Sequence, residues 1–291
     1  MASSQSQKTI KTILQKYAKK LEASELDQLL ALALHKKVEY IYKHPEKKLN
    51  RSNIESFDKL IKKRLSGWSL AYLKGYKEFY GLKFFVSKYT LVPRPESEII
   101  IDEALKYTTH LNSRGSVNAR REKNQNIIDI GTGSGCLILS LAKNNKKEAN
   151  YIAADISIKA LQMAKTNARK LGLSRQIKFV KSNLFSKIKN KKFDIVIANL
   201  PYLTPQQMQE PSIKKEPRVA LLAGKDGLSY YRKLLEQIPP YLKDKYLILL
   251  EIDPTQKNLI NKVVEANLPK ANTTFIKDLA GHTRIVKIDK N

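Results

Sequence analysis

Asp129-Ile130-Gly131-Thr132-Gly133-Ser134-Gly135 closes an apolar run that starts near Asn126. Three glycines at alternate positions let the backbone turn tightly and approach a ligand where a Cβ would collide. The helix that follows presents free N–H groups to whatever lies in that turn. The dinucleotide fingerprint Gly-x-Gly-x-x-Gly would need glycine where Cys136 stands, so a pyrophosphate cradle is not spelled here. A strand, a glycine turn and a helix in this order mark an α/β fold with its ligand at the strand's carboxyl end.

Downstream, apolar runs alternate with helical periodicity. The pattern predicts strands at 126–130, 151–155, 177–181, 193–198, 245–251, 273–278 and 284–289, with helices near 135–145, 157–171, 227–242 and 255–266. That is a mostly parallel, doubly wound sheet. Only a short turn through Ala280-Gly281-His282 separates the last two strands, so they must pair antiparallel. Seven strands closing on a reversed one suit a methyltransferase better than a dehydrogenase.

Upstream, residues 8 to 75 read as helical. Ile10, Ile13, Leu14, Tyr17 and Leu21 recur at helical spacing. Ser24, with Asp27 three residues on, offers an N-cap to a second helix carrying Leu26, Leu29, Leu30, Ala33 and Leu34. A third helix is expected over Ile54–Leu65. No glycine occurs before Gly67, and then Gly67, Gly75 and Gly81 follow closely, which marks a boundary. Tyr76 to Val92 alternates aromatic and polar residues around Gly81 and reads as a β-hairpin linker. Pro93-Arg94-Pro95-Glu96 ends it, and a helix from Ser97 to about Tyr107 begins. The polar, basic stretch from Asn112 to Gln125 (Arg114, Arg120, Arg121, Lys123) reads as an exposed, mobile loop.

Two further strand ends carry chemistry. Asp155 lies 24 residues after Gly131, where a carboxylate can accept both hydroxyls of a ribose. Ser182-Asn183-Leu184-Phe185 ends the third strand, where an adenine should lie. Asn183 can accept from its amine, and Leu184 or Phe185 can cover the ring. In such a pocket the glycine loop, Gly131, Thr132, Gly133, Ser134 and Gly135, can face the amino-acid carboxylate of S-adenosylmethionine, although the Asp155 geometry is shared with dinucleotide cofactors. The strand Asp194-Ile195-Val196-Ile197-Ala198 runs into Asn199-Leu200-Pro201-Tyr202. There an Asn oxygen and a backbone carbonyl can each accept one hydrogen of a planar NH₂ group. That holds a poorly nucleophilic nitrogen in place and favours its pyramidal, electron-rich form. The aromatic ring can stack on the flat group.

Composition bounds the rest. The 291 residues suffice for one large core and a satellite domain, and 42% hydrophobic content is that of a soluble globular protein. No apolar run approaches the roughly 20 residues of a membrane span, and the polar start Met1-Ala2-Ser3-Ser4 lacks a secretory segment. The single Cys136 excludes an internal disulfide, agrees with a reducing cytoplasm, and is expected to pack in the core. His35, His44, His110 and His282 offer no metal-ligand spacing. The net charge of +27 suits nucleic acid, yet lysines stand on nearly every segment instead of one stripe, as a lineage-wide lysine bias would place them.

Taken together, these blocks resemble the protein-(glutamine-N5) methyltransferases of the PrmC/HemK family. The resemblance runs from about residue 22 through Ala71-Tyr72-Leu73-Lys74-Gly75, Glu78-Phe79-Tyr80-Gly81-Leu82 and Leu91-Val92-Pro93-Arg94-Pro95-Glu96-Ser97-Glu98. It continues through the glycine loop, Asn199 to Tyr202, Glu216-Pro217-Arg218, Asp226-Gly227-Leu228 and Asp278-Leu279-Ala280-Gly281. It implies a Rossmann-like, seven-stranded class I methyltransferase domain at 96–291. A β-hairpin linker at 76–95 and a helical substrate-recognition domain at 1–75 would precede it. It further implies methyl transfer from S-adenosylmethionine to the glutamine of the Gly-Gly-Gln motif in peptide chain release factors, with S-adenosylhomocysteine leaving. Asn199 Oδ1 and the Leu200 carbonyl would hold the NH₂, with Pro201 directing that carbonyl and Tyr202 against the amide plane. Arg94 and Glu96 would order the linker over the cofactor. A cytoplasmic monomer without membrane or metal is expected, with room for a weak ribosome or RNA contact.

Several positions depart from the family pattern. The usual Asn-Pro-Pro-Tyr reads Asn199-Leu200-Pro201-Tyr202, and the family's Asp at the adenine site is Asn183. Gly-Glu-Pro appears as Gly67-Trp68-Ser69, and Glu-Ile-Gly-x-x-Gln as Glu251-Ile252-Asp253-Pro254-Thr255-Gln256. Asn-Leu-Pro-Tyr also resembles the motif of ribosomal RNA adenine dimethylases, so adenine-N6 methylation of ribosomal RNA is the alternative. In that family, however, the helical domain follows the catalytic one. A third reading is a catalytically silent factor that binds a release factor or the ribosome.

Overall fold

The computed structural model describes residues 8–110 and 124–290. They divide into two compact units: one reaches to Gly75 and takes in Pro211–Lys215, and the other holds Tyr76–Glu210 and the chain from Glu216.

The first unit is helical: α1 (Ile10–Tyr17), α2 (Ala23–Ala33), α3 (Val38–Lys43), α4 (Arg51–Leu65) and α5 (Leu70–Lys74). Their apolar faces meet in one core around Leu29, Leu30, Phe57 and Ile61, with Tyr17 edge-on to Phe57 at 5.7 Å. The expected cap at Ser24 does not form. Glu22 precedes α2 without a side-chain cap, and Asp27, the other half of that box, accepts instead from the Tyr42 hydroxyl at 2.6 Å. The helix expected from Ile54 starts earlier, because Asn50 accepts from the Asn53 N–H at 2.8 Å and caps it. The short helices α3 and α5 carry too few turns to show a period.

The second unit opens with the hairpin β1 (Tyr76–Phe79) and β2 (Leu82–Phe85), closed by Tyr80 and Gly81 at φ +50° and +68°. A 3₁₀ turn at Pro95–Ser97 leads into α6 (Glu98–His110). The basic loop expected at 112–125 lies outside the described residues except for its last two, and Gln125 already belongs to a strand. There follow β3 (Gln125–Ile130), α7 (Cys136–Asn144), β4 (Ala149–Asp155), α8 (Ile158–Leu171), β5 (Ile177–Lys181) and β6 (Phe193–Ala198). The unit ends with α9 (Ser229–Gln237), β7 (Leu242–Glu251), α10 (Lys257–Asn267), β8 (Asn272–Lys277) and β9 (Thr283–Lys290). The helix expected to reach 242 stops at Gln237, since Pro239 and Pro240 deny the next turn its N–H donors.

Strand order is β5-β4-β3-β6-β7-β9-β8, parallel except for β9, which runs antiparallel to both neighbours. The seven-stranded α/β sheet with a terminal hairpin is the one the sequence spells. Alternate residues of one strand serve opposite faces. Leu247 and Leu249 of β7 join the core under α6 and α7, whereas Ile248 and Leu250 join the core under α9 and α10. With both faces covered, the central strands are largely apolar, Asp129 of β3 being a buried exception. The order reverses between β3 and β6, and a crevice opens at their carboxyl ends.

Candidate active site

Four strand ends converge on that crevice. At the end of β3 the N–H groups of Gly131 and Thr132 donate to the Ala154 carbonyl at 2.8 and 3.0 Å, fastening the glycine loop to β4. Gly131 stands at φ +77°, and a Cβ there would lie 2.8 Å from Leu200 Cδ2. At the end of β4 the two carboxylate oxygens of Asp155 each accept one backbone N–H, from Gly133 and Ser157, both at 2.8 Å. Each oxygen keeps acceptor capacity for a further donor, as a diol requires. Burial raises the Asp155 carboxyl above its ordinary value.

The crevice is a cavity open to solvent. Its wall includes Arg94, Gly131, Thr132, Gly133, Ser134, Asp155, Asn183, Leu184, Asn199, Leu200 and Pro201, which the sequence reading had brought together. Three expected residues are not on the wall. Gly135 stands behind it, where a Cβ would press on Leu139 Cδ1 at 2.9 Å and Ala164 Cβ at 3.1 Å, so its role is the packing of α7 on α8. Glu96 is half-buried beside the cavity; Arg94 pairs instead with the buried Glu216 at 2.5 Å, and the Val92 N–H turns to that same carboxylate. Tyr202 is half-buried, with its hydroxyl on Glu251 Oε1 at 3.1 Å.

At the third strand's end, Leu184 and Phe185 face opposite ways. Leu184 lines the cavity at φ +48°, held there by the Ser182 hydroxyl donating to its carbonyl at 2.7 Å. A leucine in the left-handed region is strained, and such strain persists where the surroundings hold it. Phe185 turns the other way and stacks on Tyr241 at 4.4 Å inside the core. Asn183 is exposed on the wall, its N–H donating to Ser186 Oγ at 3.3 Å. Cys136 packs at the core's edge as expected but also lines the cavity, and burial pushes its thiol up to about 12.

Beneath Asn199 lies a network that sequence reasoning missed. The Ser97 hydroxyl donates to Glu251 Oε2, and Ser97 Oγ accepts from Asn199 Nδ2 at 3.2 Å. Glu251, 1% exposed, ends β7 and is raised by burial above the ordinary glutamate value. Because the single Ser97 proton is committed to Glu251, only the NH₂ of Asn199 can face Ser97. Its Oδ1 is left for another donor. The Leu200 N–H donates to the Tyr231 hydroxyl at 3.2 Å, and that hydroxyl donates to the Glu251 carbonyl. The Leu200 carbonyl sits 3.5 Å from the same hydroxyl, whose proton is already committed, and so keeps its acceptor capacity. Two residues on, Gln256 Nε2 donates to the Tyr202 carbonyl at 2.8 Å. Gly227 packs against that contact so closely that a Cβ would collide with both partners. Another wall residue missed in the sequence is Ile156, 55% exposed directly after Asp155. An apolar side chain left bare at a strand end was its only signal.

The residues present fit an adenosyl amino-acid cofactor. Asp155 offers two acceptors for a diol, Ile156 and Leu184 offer apolar faces for a flat ring, and the loop at Gly131 tolerates no side chain. Among the described residues no cluster of His, Cys, Asp or Glu could hold a metal ion, and no helix is long and apolar enough to cross a membrane.

Sheet order, the reversed β9 and a cavity at the switch point define a class I methyltransferase fold. Residues 121–286 match the family described as Methyltransferase domain, and residues 7–75 match the PrmC N-terminal domain. The chain is 37% identical to the release factor glutamine methyltransferase of Streptococcus pneumoniae, over 75% of this chain and 74% of that one. It is 31% identical to the bifunctional methyltransferase of Rickettsia felis over 96% of its own length. The chain belongs to the PrmC/HemK family. It spans about half the length of the bifunctional relatives it matches, 58% in that case. The hMettl16 catalytic domain, solved with an RNA hairpin, shares the fold at a TM-score of 0.53 and 19% identity, over 72% of this chain and 75% of that one.

Proposed function

We propose that the chain methylates the side-chain amide nitrogen of the glutamine in the Gly-Gly-Gln motif of a peptide chain release factor. The observation that carries this reading is the fixed sense of the Asn199 amide: its nitrogen is held by Ser97, so its oxygen is the pole available to an incoming NH₂. A second acceptor, the Leu200 carbonyl, follows one residue on. Two acceptors suit a primary amide, which has two hydrogens to give.

S-adenosylmethionine, when bound, supplies the methyl group on a sulfonium and departs as S-adenosylhomocysteine. Asp155 would hold its ribose, the loop from Gly131 its amino-acid end, and Asn183, Ile156 and Leu184 its adenine. Asn199 and Leu200 would orient the glutamine nitrogen and favour its pyramidal form, so most of the rate gain is alignment. The Tyr202 hydroxyl is tied to Glu251, and its ring would pack against the amide. Arg94, held by Glu216, orders the linker at the cavity wall. No strong base is needed, because the amide proton becomes acidic as the new bond forms. Residues 1–75 would recognise the release factor, 76–95 would serve as the linker and 96–291 would perform the transfer, in a monomer acting in the cytoplasm. The helices preceding the catalytic unit favour this over adenine methylation of ribosomal RNA.

The test is incubation with labelled cofactor and a purified release factor, wild type or with the motif's glutamine changed to alanine. Label on the wild-type protein alone supports the reading. Label on both proteins, or only on added ribosomal RNA, overturns it.

A further inference from the structure

Cations are spread over nearly every element of this chain, but the acids are not. Between Asp155 and Asp194 the sequence carries eleven lysines and arginines and no aspartate or glutamate. A general enrichment in lysine adds cations everywhere; it does not clear one segment of carboxylates. The cleared segment comprises α8, β5 and their connections, and β5 is the edge strand of the sheet. All eleven basic side chains are exposed, and no ion pair among the described residues includes one of them. Lysines on an edge strand deter pairing with another sheet, but only Lys178 and Lys181 lie on β5.

A shallow cleft between α8 and β5 is walled by Gln162, Lys165, Thr166, Arg169, Ser174 and the half-buried ring of Phe179. At the start of α8 the Lys159 ammonium already lies over the exposed ring of Tyr89 at 4.1 Å. We propose that this edge binds a single strand of RNA, its lysines and arginines taking phosphates and the Phe179 cleft taking a base. A nucleic acid strand repeats its charge every few ångströms, which matches cations strung along a helix and an edge strand. A flat ring framed by amide, hydroxyl and guanidinium donors suits a base, as in strand-binding grooves elsewhere. The cleft presents one ring and no aliphatic side chain, too little apolar surface for a bilayer. An acidic peptide would answer the charge and leave the ring unused.

The experiment measures binding of a fluorescein-labelled single-stranded RNA to the full chain across a salt series; methyl transfer plays no part in it. One variant carries Lys165→Gln, Arg169→Gln, Arg175→Gln and Lys178→Gln. A control of equal charge carries Lys233→Gln, Lys245→Gln, Lys262→Gln and Lys270→Gln, all exposed and interleaved with Glu236, Asp244 and Glu265. The edge variant should lose about tenfold or more in affinity, and its salt slope should fall by about 0.7 for each phosphate contact removed. The control should change less than about threefold. RNA should also shield Lys165 and Lys178 from acetylation in the unmodified chain, which requires no variant to fold. Equal losses in both variants, displacement by polyglutamate at matched charge, or edge-dependent binding to phosphatidylserine vesicles without binding to RNA would each overturn the proposal.

Discussion

Asn199 Nδ2 donates to Ser97 Oγ at 3.2 Å across 102 residues of sequence, and this bond fixes which end of the amide faces outward. Without that bond nothing holds the NH₂ inward, and the amide can turn it toward the substrate, donor against donor. Ser97→Ala should therefore lower turnover by about tenfold, the cost of one orienting hydrogen bond. Ser97→Thr, which keeps the hydroxyl, should restore it. Steady-state kinetics with a release factor decide this, and an alanine variant with full turnover would deny Ser97 its orienting role.

Asn199→Ala removes the acceptor itself. Turnover should fall by about 10²- to 10³-fold, as for other preorganised partners of the reacting group. Cofactor affinity, carried by Asp155 and the glycine loop, should stay within about threefold. Calorimetry with S-adenosylhomocysteine beside single-turnover rates separates the two quantities. Equal losses in both would make Asn199 a cofactor ligand instead.

Glu251→Gln tests the anchor beneath Ser97. A glutamine NH₂ can donate to Ser97 Oγ, which frees the Ser97 proton to seek Asn199 Oδ1 and turns the amide over. Turnover should fall by about tenfold or more. In the wild type, burial raises the Glu251 carboxyl above the ordinary 4.5. The ionised form is the one that accepts from Ser97, so activity should fall as pH drops through the raised value. Glu251→Gln should be slow at every pH and lack that acid limb, which a pH–rate profile would show.

Sequence patterns reached what lies within one element or one turn. The glycine loop, the end of β4 at Asp155 and the tetrapeptide after β6 are local signals, and the fold brings them to one crevice because parallel strands share a carboxyl end. What escaped was contact between distant residues. Ser97 and Glu251 are 154 residues apart and meet only when the linker is laid on the end of β7. Glu216, quoted in a family block, gave no hint that it would hold Arg94, 122 residues away. The sequence points to the carbonyl of Leu200. Its N–H, which a proline at that position would lack, proves to be bonded to Tyr231. Ser24 does not cap because α2 already begins at Ala23, and Asp27, the other half of the expected box, bonds instead to Tyr42, a contact local preference cannot register.

Gly131 and Gly133 should respond differently to alanine. Both have positive φ, +77° and +56°, and both would bear the cost of a left-handed alanine, about 1–2 kcal/mol. At Gly133 the added methyl meets only the Gly131 carbonyl oxygen at 3.9 Å, whereas at Gly131 it meets Leu200 Cδ2 at 2.8 Å. Leu200 is 5% exposed and packed in the core, so it yields poorly. Gly131→Ala should therefore be the more destabilising by thermal or denaturant unfolding, and it should also slow turnover by shifting Leu200. Equal melting points for the two variants would refute the packing account.

Asp129 should give the folded state a pH dependence at neutral pH. It is fully buried, with Oδ2 accepting from the Thr132 hydroxyl at 2.7 Å and Oδ1 making no well-formed hydrogen bond among the described residues. Burial pushes its carboxyl from the ordinary 3.8 up to about 7. Between those values the folded chain holds a proton that the unfolded chain has released. Stability from this group is thus present at low pH and lost as pH rises toward 7. Asp129→Asn keeps an acceptor for Thr132 and removes the charge, so it should flatten this part of the curve and raise the melting point above pH 7. Melting curves of both proteins from about pH 4 to pH 8 check it. A wild-type curve parallel to the variant's throughout would mean that Asp129 ionises without penalty, its bare oxygen satisfied by water.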